Sequence, residues 1–230
     1  METMSLYVVS TPIGNLEDIT VRAVRVLKEV DLILCEDTRT SRVLLNHYEI
    51  KTSTTSFHSY STDAKADALI RELLAGKNFA MISDAGTPGI SDPAFVLINA
   101  AVKAGITVIP LPGASAVLAA LAGSGLPMDK FLYLGFVPAK KGRVTLFESL
   151  RDEDRTVVLY ESPHRIMKTL SQMLDALGPD RIIVIARELT KMHETFHRGT
   201  VSQISTDFSK TPPKGEMVVL VAPKNFDGFK

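Results

Sequence analysis

Residues 79–111 read FAMISDAGTPGISDPAFVLINAAVKAGITVIPL, and this stretch decides the fold. FAMIS (79–83) is a short apolar run of strand length, and ITVIPL (106–111) is a second. Between them DPAFVLINAAVKAG (92–105) has the apolar spacing of a helix, with Asp92 placed to cap it, Pro93 at its first position and Gly105 to close it. Strand, helix and strand in this order make a parallel βαβ unit, because parallel neighbours need a crossover and the helix supplies it.

The same alternation extends outward. SLYVVS (5–10), LILCE (32–36) and FAMIS are separated by the helical patterns VRAVRVLKEV (21–30), RTSRVLLNHY (39–48) and DAKADALIRELLAG (63–76). In VRAVRVLKEV, Val21, Val24 and the pair Val26/Leu27 return to one face while Arg22, Arg25, Lys28 and Glu29 face water. The second half repeats the theme: strands at LYLGFV (132–137), TVVLYE (156–161), RIIVIAR (181–187) and EMVVLVAP (216–223), helices at GRVTLFESL (142–150) and RIMKTLSQMLDALG (165–178). GSGLPMDK (123–130) reads as a linker, so the expected architecture is α/β in two lobes, 1–122 and 123–230, with ligands collecting at the carboxyl ends of strands. No internal repeat or low-complexity segment interrupts this plan, and KNFDGFK reads as a loose tail.

The 230 residues carry 26 basic and 26 acidic side chains, a balance that excludes recognition of nucleic acid by bulk charge but not by a local patch. One cysteine, Cys35, forms no internal disulfide, and Glu2 stands where a secretory signal would be positive, so a cytoplasmic protein is expected. Ala104–Met128 contains no charged residue and is long enough to span a membrane. Pro110, Pro112, Gly113, Gly123 and Gly125 punctuate it, which favours a buried strand, a turn and a short packed helix, and no membrane association.

The turns are more distinctive than the strands. STPIGNLEDIT (10–20) is neither GxGxxG nor a P-loop, and Asp18 or Thr20 is available to cap the next helix. SDAGTPGISDP (83–93) packs two aspartates, two glycines and two prolines behind an apolar strand, with Asp84 at the strand end, where a ribose or an amine can be held. PLPGASA (110–116) ends the next strand in the same manner. No lysine or arginine occurs between Ser83 and Ile98 or between Ala104 and Met128, so these turns suit a nucleoside with a positive centre better than a polyphosphate, and S-adenosylmethionine fits that description. HETFH (193–197) matches the HExxH pattern of zinc peptidases, with Glu216 as a conceivable third ligand, but that motif needs a helix. Strand RIIVIAR just upstream and Arg198-Gly199-Thr200 just downstream argue against one, and no metal site is assigned.

STPIGNLEDITVRAVRVLKEVD, CEDTRTSRVLL, ISDAGTPGISDPA, PLPGASA, GFVPAKKG, YESPHRI, ARELTKMHE and KGEMVVLV occur in this order. Together they resemble the ribosomal RNA small subunit methyltransferase I family, within the tetrapyrrole (corrin/porphyrin) methylase superfamily, over Ser5 to about Pro223. The resemblance implies two α/β lobes with S-adenosylmethionine in the cleft between them, a homodimer, and methylation of the ribose 2′-hydroxyl of a cytidine in the decoding region of 16S RNA. The substrate is small-subunit ribosomal RNA or the assembled 30S subunit. It places cofactor contacts at Pro12, Ile13, Gly14, Asp84, Ser115, Ala116, Tyr160, Ala186, Arg187, Gly215 and Glu216. STPIGN stands where tetrapyrrole methylases carry a glycine-rich first turn, which disfavours a porphyrin substrate. Longer members continue into a small basic helical extension, whereas this sequence stops at Lys230; weak binding to naked RNA is the expectation.

A ribose hydroxyl is a poor nucleophile until its proton is removed, so a general base is needed. Glu36 and Asp37 in CEDTR, His164 in ESPHR, and Glu188, His193 and Glu194 in RELTKMHE are the candidates; the other reading of Asp37 is a helix cap. Arg39 and Arg42, Lys140, Lys141 and Arg143, and Arg165 with Lys168 are candidates for phosphate contacts, and Phe57, Tyr60 and Phe136 for stacking on a splayed base. Magnesium is possible, but no acidic cluster indicates it. The competing functions are a tetrapyrrole methylase and a non-catalytic, cofactor-binding ribosome-assembly protein.

Overall fold

A computed structural model supplies the structure, which describes residues 4–58, 60–92 and 94–229. The chain divides into two compact units, Met1–Ser115 and Ala116–Lys230.

In the first unit β1 (Ser5–Val9), β2 (Leu32–Cys35), β3 (Thr54–Ser56), β4 (Phe79–Ile82) and β5 (Thr107–Leu111) form one sheet in the order β3-β2-β4-β1-β5. Every pairing is parallel, as strand and helix alternation requires. The helices are α1 (Val21–Glu29), α2 (Thr38–His47), α3 (Asp63–Leu74) and α4 (Ala94–Lys103). Side chains along β4 alternate between two cores: Phe79 and Met81 pack with Leu69, Leu73 and Leu97 of α3 and α4, while Ala80 and Ile82 pack with Leu27 and Leu45 of α1 and α2. Thr20 caps α1, its hydroxyl accepting the Ala23 N–H at 3.1 Å. Asp92 accepts the Ala94 N–H at 2.8 Å at the start of α4, while the placement expected for Pro93 falls outside the described residues.

The second unit contains α5 (Ala116–Ser124), β6 (Phe131–Phe136), α6 (Arg143–Ser149), β7 (Thr156–Glu161), α7 (Ile166–Leu177), β8 (Ile182–Arg187), β9 (Thr195–Thr200), α8 (Val201–Lys210) and β10 (Met217–Val221). Its sheet, β6-β7-β10-β8-β9, is mixed rather than a second parallel sheet: β10 runs antiparallel to β7 and β8, and β9 antiparallel to β8. α6, α7 and α8 bury Phe147, Leu170 and Phe208 on one face with Leu159, Ile185 and Val219. α5 packs on β8, β9 and β10 within this unit, so the division of contacts falls at Ser115/Ala116 and not at the 122/123 junction read from the linker. Gly123 of α5 makes that approach possible, since a Cβ there would lie 2.3 Å from the Phe196 ring. Ala104–Met128 resolves into β5, a turn and α5, and no helix among the described residues is long and apolar enough to cross a membrane.

Candidate functional site

In the first unit the distinctive turns all leave the carboxyl ends of parallel strands. α1 and α2 cover one face and α3 and α4 the other, so the connections diverge at β4 and its neighbours β1 and β2, which is where such sheets open a crevice. The turn after β1 is tied to the turn after β4 by a reciprocal pair, Thr11 N–H to Gly86 O at 2.9 Å and Gly86 N–H to Thr11 O at 3.0 Å. The Thr11 hydroxyl donates to Ser83 O at 3.1 Å. Ser10 Oγ lies 2.9 Å from Thr87 Oγ1 and 3.2 Å from Leu111 O, and Thr87 Oγ1 lies 3.2 Å from Ala114 O. A Cβ on Gly113 would stand 2.7 Å from the Ser10 Cβ, so only glycine fits. Three turns are thereby locked together; Gly113 was read from sequence as a turn residue, whereas Ser10 and Thr87, which complete the lock, were not singled out. Their signal was a hydroxyl residue beside a Pro–Gly turn.

Pro12 is buried, Ile13 half-buried and Gly14 exposed, and Asp84 stands exposed at the end of β4. Asp84 interlocks with the end of β2: Glu36 Oε2 accepts the Asp84 N–H at 3.2 Å, and Asp84 Oδ1 accepts the Asp37 N–H at 3.1 Å. Burial, followed by neighbouring negative charge only partly offset by the Asp84 N–H, pushes the Glu36 carboxyl above its ordinary range. Burial pushes Asp84 up in the same way. Asp37 takes the other role read from sequence: it caps α2 by accepting the Arg39 N–H at 2.8 Å, and the Arg39 guanidinium at 2.6 Å holds its carboxyl down at about 2. Arg39 is committed to Asp37 within an exposed pair, and Arg42 is exposed. Ser115 and Ala116 stand half-buried at the junction of the two units.

The second sheet gathers its motifs on one edge because its mixed directions bring strand ends and strand starts together. Phe136 pairs with Tyr160, Glu161 with Met217, Met217 with Arg187 and Arg187 with Thr195. GFVPAKKG, ESPHR, ELTKMHE and PPKGE therefore leave or enter this one edge. Tyr160 is half-buried, edge-on to Tyr133 and Phe136, and burial raises its phenol well above the ordinary value. Ala186 is fully buried. Arg187 works as a fastener, its guanidinium donating to Lys214 O at 2.6 Å and His193 O at 3.2 Å.

Glu188 adopts φ +51° and Thr190 +65°, a left-handed turn that non-glycine residues enter at a cost of about 1–3 kcal/mol each. Contacts hold it there. Glu188 Oε1 accepts the Glu216 N–H at 2.9 Å and Lys191 Nζ at 3.1 Å, Lys191 reaches Glu216 Oε2 at 2.8 Å, and Glu194 accepts the Thr190 N–H at 2.6 Å. Gly215, at φ +88°, leaves no room for a Cβ beside Glu188. The Glu216 amide, with Lys191, lowers the Glu188 carboxyl, so Glu188 is a weaker base than Glu36. His193 and Glu194 sit in the turn and His197 on β9, so HETFH lies on a turn and a strand instead of the helix a zincin needs. No group of three or more histidine, cysteine or acidic residues placed to hold a metal occurs among the described residues.

Three sequence expectations are corrected. Arg143 is not a phosphate ligand: it is 2% exposed, and its guanidinium donates to Pro138 O, Gln172 Oε1 and Thr169 Oγ1 at 2.8, 2.9 and 2.6 Å beside Glu161 at 3.4 Å. Arg165 is largely engaged inside the same network, 2.8 Å from Glu161 Oε1 and 3.2 Å from Val137 O. A buried carboxylate recruits both cations, because neither sign tolerates burial alone. Phe57 is a core residue at 4% exposure and stacks on nothing outside the protein, whereas Tyr60 and Phe136 are exposed. Lys140, Lys141, His164 and Lys168 are exposed at or near the motif edge.

The same two-unit α/β fold occurs in solved structures of other proteins. The solved structure of the cobalamin biosynthetic enzyme cobalt precorrin-4 methyltransferase superposes with a TM-score of 0.68 at 18% identity, covering 95% of each chain. Diphthine synthase superposes with a TM-score of 0.73 at 16% identity, covering 95% of this chain and 90% of its own. The tetrapyrrole (corrin/porphyrin) methylase model matches residues 5–205. Ribosomal RNA small subunit methyltransferase I of Synechocystis sp. PCC 6803 is 48% identical over 94% of this chain and 78% of its own, and that of Haemophilus influenzae 49% over 95% and 78%. The Thermotoga maritima relative is 47% identical over 95% of this chain and 98% of its own. The chain belongs to the tetrapyrrole methylase family and, within it, to the ribosomal RNA small subunit methyltransferase I group.

Proposed function

We propose that the protein transfers a methyl group from S-adenosylmethionine to small-subunit ribosomal RNA, at the ribose 2′-hydroxyl of a cytidine in the decoding region. The observation that carries the reading is the set of interlocked turns at the carboxyl end of the first sheet, where ligands of such sheets bind. Their hydroxyls are used up in the lock, which leaves the exposed Asp84 carboxylate at the strand end, with no basic side chain from Ser83 to Ile98. A carboxylate acceptor without neighbouring basic side chains fits ribose hydroxyls and a cationic centre. S-adenosylmethionine, when bound, supplies an electrophilic methyl group on a sulfonium.

In this reading Pro12, Ile13 and Gly14 line the cofactor, Asp84 holds its hydroxyls, and Ser115 and Ala116 border it. Tyr160, Ala186, Arg187, Gly215 and Glu216 belong to the same assignment on the second unit. Glu36, whose carboxyl is pushed above its ordinary range by burial and stands at the end of β2 beside Asp84, takes the hydroxyl proton. Locking the turns before the ligands arrive lowers the ordering required at reaction. Lys140, Lys141, Arg42 and Lys168 supply phosphate contacts. The enzyme works as a cytoplasmic homodimer, a state supported by the outward Phe95 and Val102 of α4, 68% and 61% exposed.

The test is incubation with methyl-labelled S-adenosylmethionine and undermethylated small subunits or their RNA, followed by nucleoside analysis. Label on a cytidine ribose is the expected result; label on a base, or none, overturns the reading. Light scattering checks the dimer.

A further inference from the structure

We infer that Phe136 is the platform on which an unstacked base of the substrate RNA is held, an inference that rests on the reading of an RNA substrate. Along β6, Leu132 and Leu134 pack toward the helix-covered core and Tyr133 points the other way. Strict alternation would send residue 136 into the core. The ladder with β7 is instead irregular between Tyr133 and Phe136, and Gly135 takes φ +67°. This bulge turns Phe136 onto the tyrosine side, where its ring meets Tyr160 edge-on with centroids 5.2 Å apart, and Val137 resumes the core position at 1% exposure.

The result is a large apolar ring left 59% exposed at the carboxyl end of the strand, braced from behind by Tyr160, which is itself braced by Tyr133 at 5.4 Å. The backbone on either side is fixed. Val137 N–H donates to Tyr160 O at 3.1 Å, Arg165 to Val137 O at 3.2 Å and buried Arg143 to Pro138 O at 2.8 Å. The loop then runs directly into exposed Lys140 and Lys141, and exposed Lys168 stands on α7. A braced, open aromatic face beside exposed cations is the combination that binds single-stranded RNA: the ring takes a base, the lysines take the adjoining phosphates. An apolar ligand would have no use for the lysines, and a duplex would leave no base free for the ring.

The chain contains no tryptophan, so Phe136→Trp introduces a single indole at the platform. A short single-stranded RNA is expected to quench the emission of this variant. Phe136→Ala is expected to raise the KM for RNA about 5- to 150-fold, with the affinity for S-adenosylmethionine and kcat nearly unchanged; Phe136→Tyr retains the wild-type KM. If wild type methylates its RNA but Phe136→Ala shows the same KM and the Phe136→Trp emission does not respond to RNA, the platform is overturned alone. If RNA quenches Phe136→Trp but wild type places no label on any RNA, the methylation reading fails and the platform stands.

Discussion

Glu161 and Arg143 give the sharpest quantitative expectation, because their partners are unequal. Glu161 faces two cations: Arg165 at 2.8 Å on Oε1 and Arg143 at 3.4 Å on Oε2, with the Ser162 N–H at 2.7 Å and the Thr169 hydroxyl at 2.5 Å completing its shell. Arg143 has this one carboxylate and three neutral acceptors. Glu161→Met therefore strands one fully buried guanidinium and one partly buried one, a loss of about 3–5 kcal/mol. Arg143→Met leaves Glu161 still paired with Arg165, so its loss is about 1–3 kcal/mol, mostly hydrogen bonds to Pro138, Gln172 and Thr169. The double variant should be less destabilised than the sum of the two by about 0.5–3 kcal/mol, since the second substitution removes the charge the first one orphaned. Urea unfolding followed by circular dichroism, or a fall in Tm of roughly 10–20 °C for Glu161→Met, reads this directly. Equal losses for the two single variants, or strict additivity in the double, would refute the reasoning that an uncompensated buried charge dominates.

The paired carboxylates of the first unit predict a pH effect whose sign follows from the raised pKa values of Glu36 and Asp84. The folded state binds these protons more tightly than the unfolded chain, so stability falls as pH rises from about the ordinary carboxylate values through the raised ones. Glu36→Gln should flatten that part of a Tm-against-pH curve, leave S-adenosylmethionine binding in place, and lower kcat about 10²- to 10⁴-fold; parallel curves would contradict the assignment. Gly113→Ala drives a Cβ to 2.7 Å from the Ser10 Cβ and should loosen the lock, costing about 1–3 kcal/mol and weakening S-adenosylmethionine binding in calorimetry. Adding Ser10→Gly removes the colliding atom and should restore part of the stability; no rescue would place the damage elsewhere.

How far the sequence carried depends on which element is asked. The parallel unit was legible because residues 79–111 hold strand, cap, helix and stop in one run, and structure follows them within a residue or two. β9 and α8 were not. TFHRGT carries no clean alternation, and VSQISTDFSK is rich in β-branched residues and serines that disfavour helices. The visible signal for α8 was its capping box, in which Thr200 accepts the Gln203 N–H at 3.1 Å and the Gln203 side chain accepts the Thr200 N–H at 2.9 Å. The mixed second sheet was hidden for another reason: periodicity marks a strand but says nothing of its direction. At the site, Asp84 and Glu36 were legible as carboxylates at strand ends. Arg143 was misread because, in KKGR, nothing local separates it from Lys140 and Lys141. What buries it is Glu161, placed opposite by the pairing of β6 with β7.

That distinction revises what a chain of zero net charge can do with RNA. The charges at the second sheet's edge are largely neutralised inside the protein, Arg143 and Arg165 by Glu161 and Lys191 by Glu188 and Glu216. Among the described residues Lys140, Lys141, Lys168 and Lys214 are exposed near that edge with no ion pair within 4.0 Å. Each phosphate contact on a single strand contributes about −0.7 to the slope of log Kobs against log salt, so these four lysines account for about −3, and Arg42 of the first unit brings the total to no steeper than about −3.5. Binding through a bulk-charge face would be steeper. A measured slope of about −3.5 or shallower, with Lys140→Ala and Lys141→Ala each reducing it by nearly one contact, is therefore expected. A slope of −6 or beyond would mean that a basic surface outside this edge dominates, and would remove the need for a base held on Phe136 to make up the affinity that so few cations leave short.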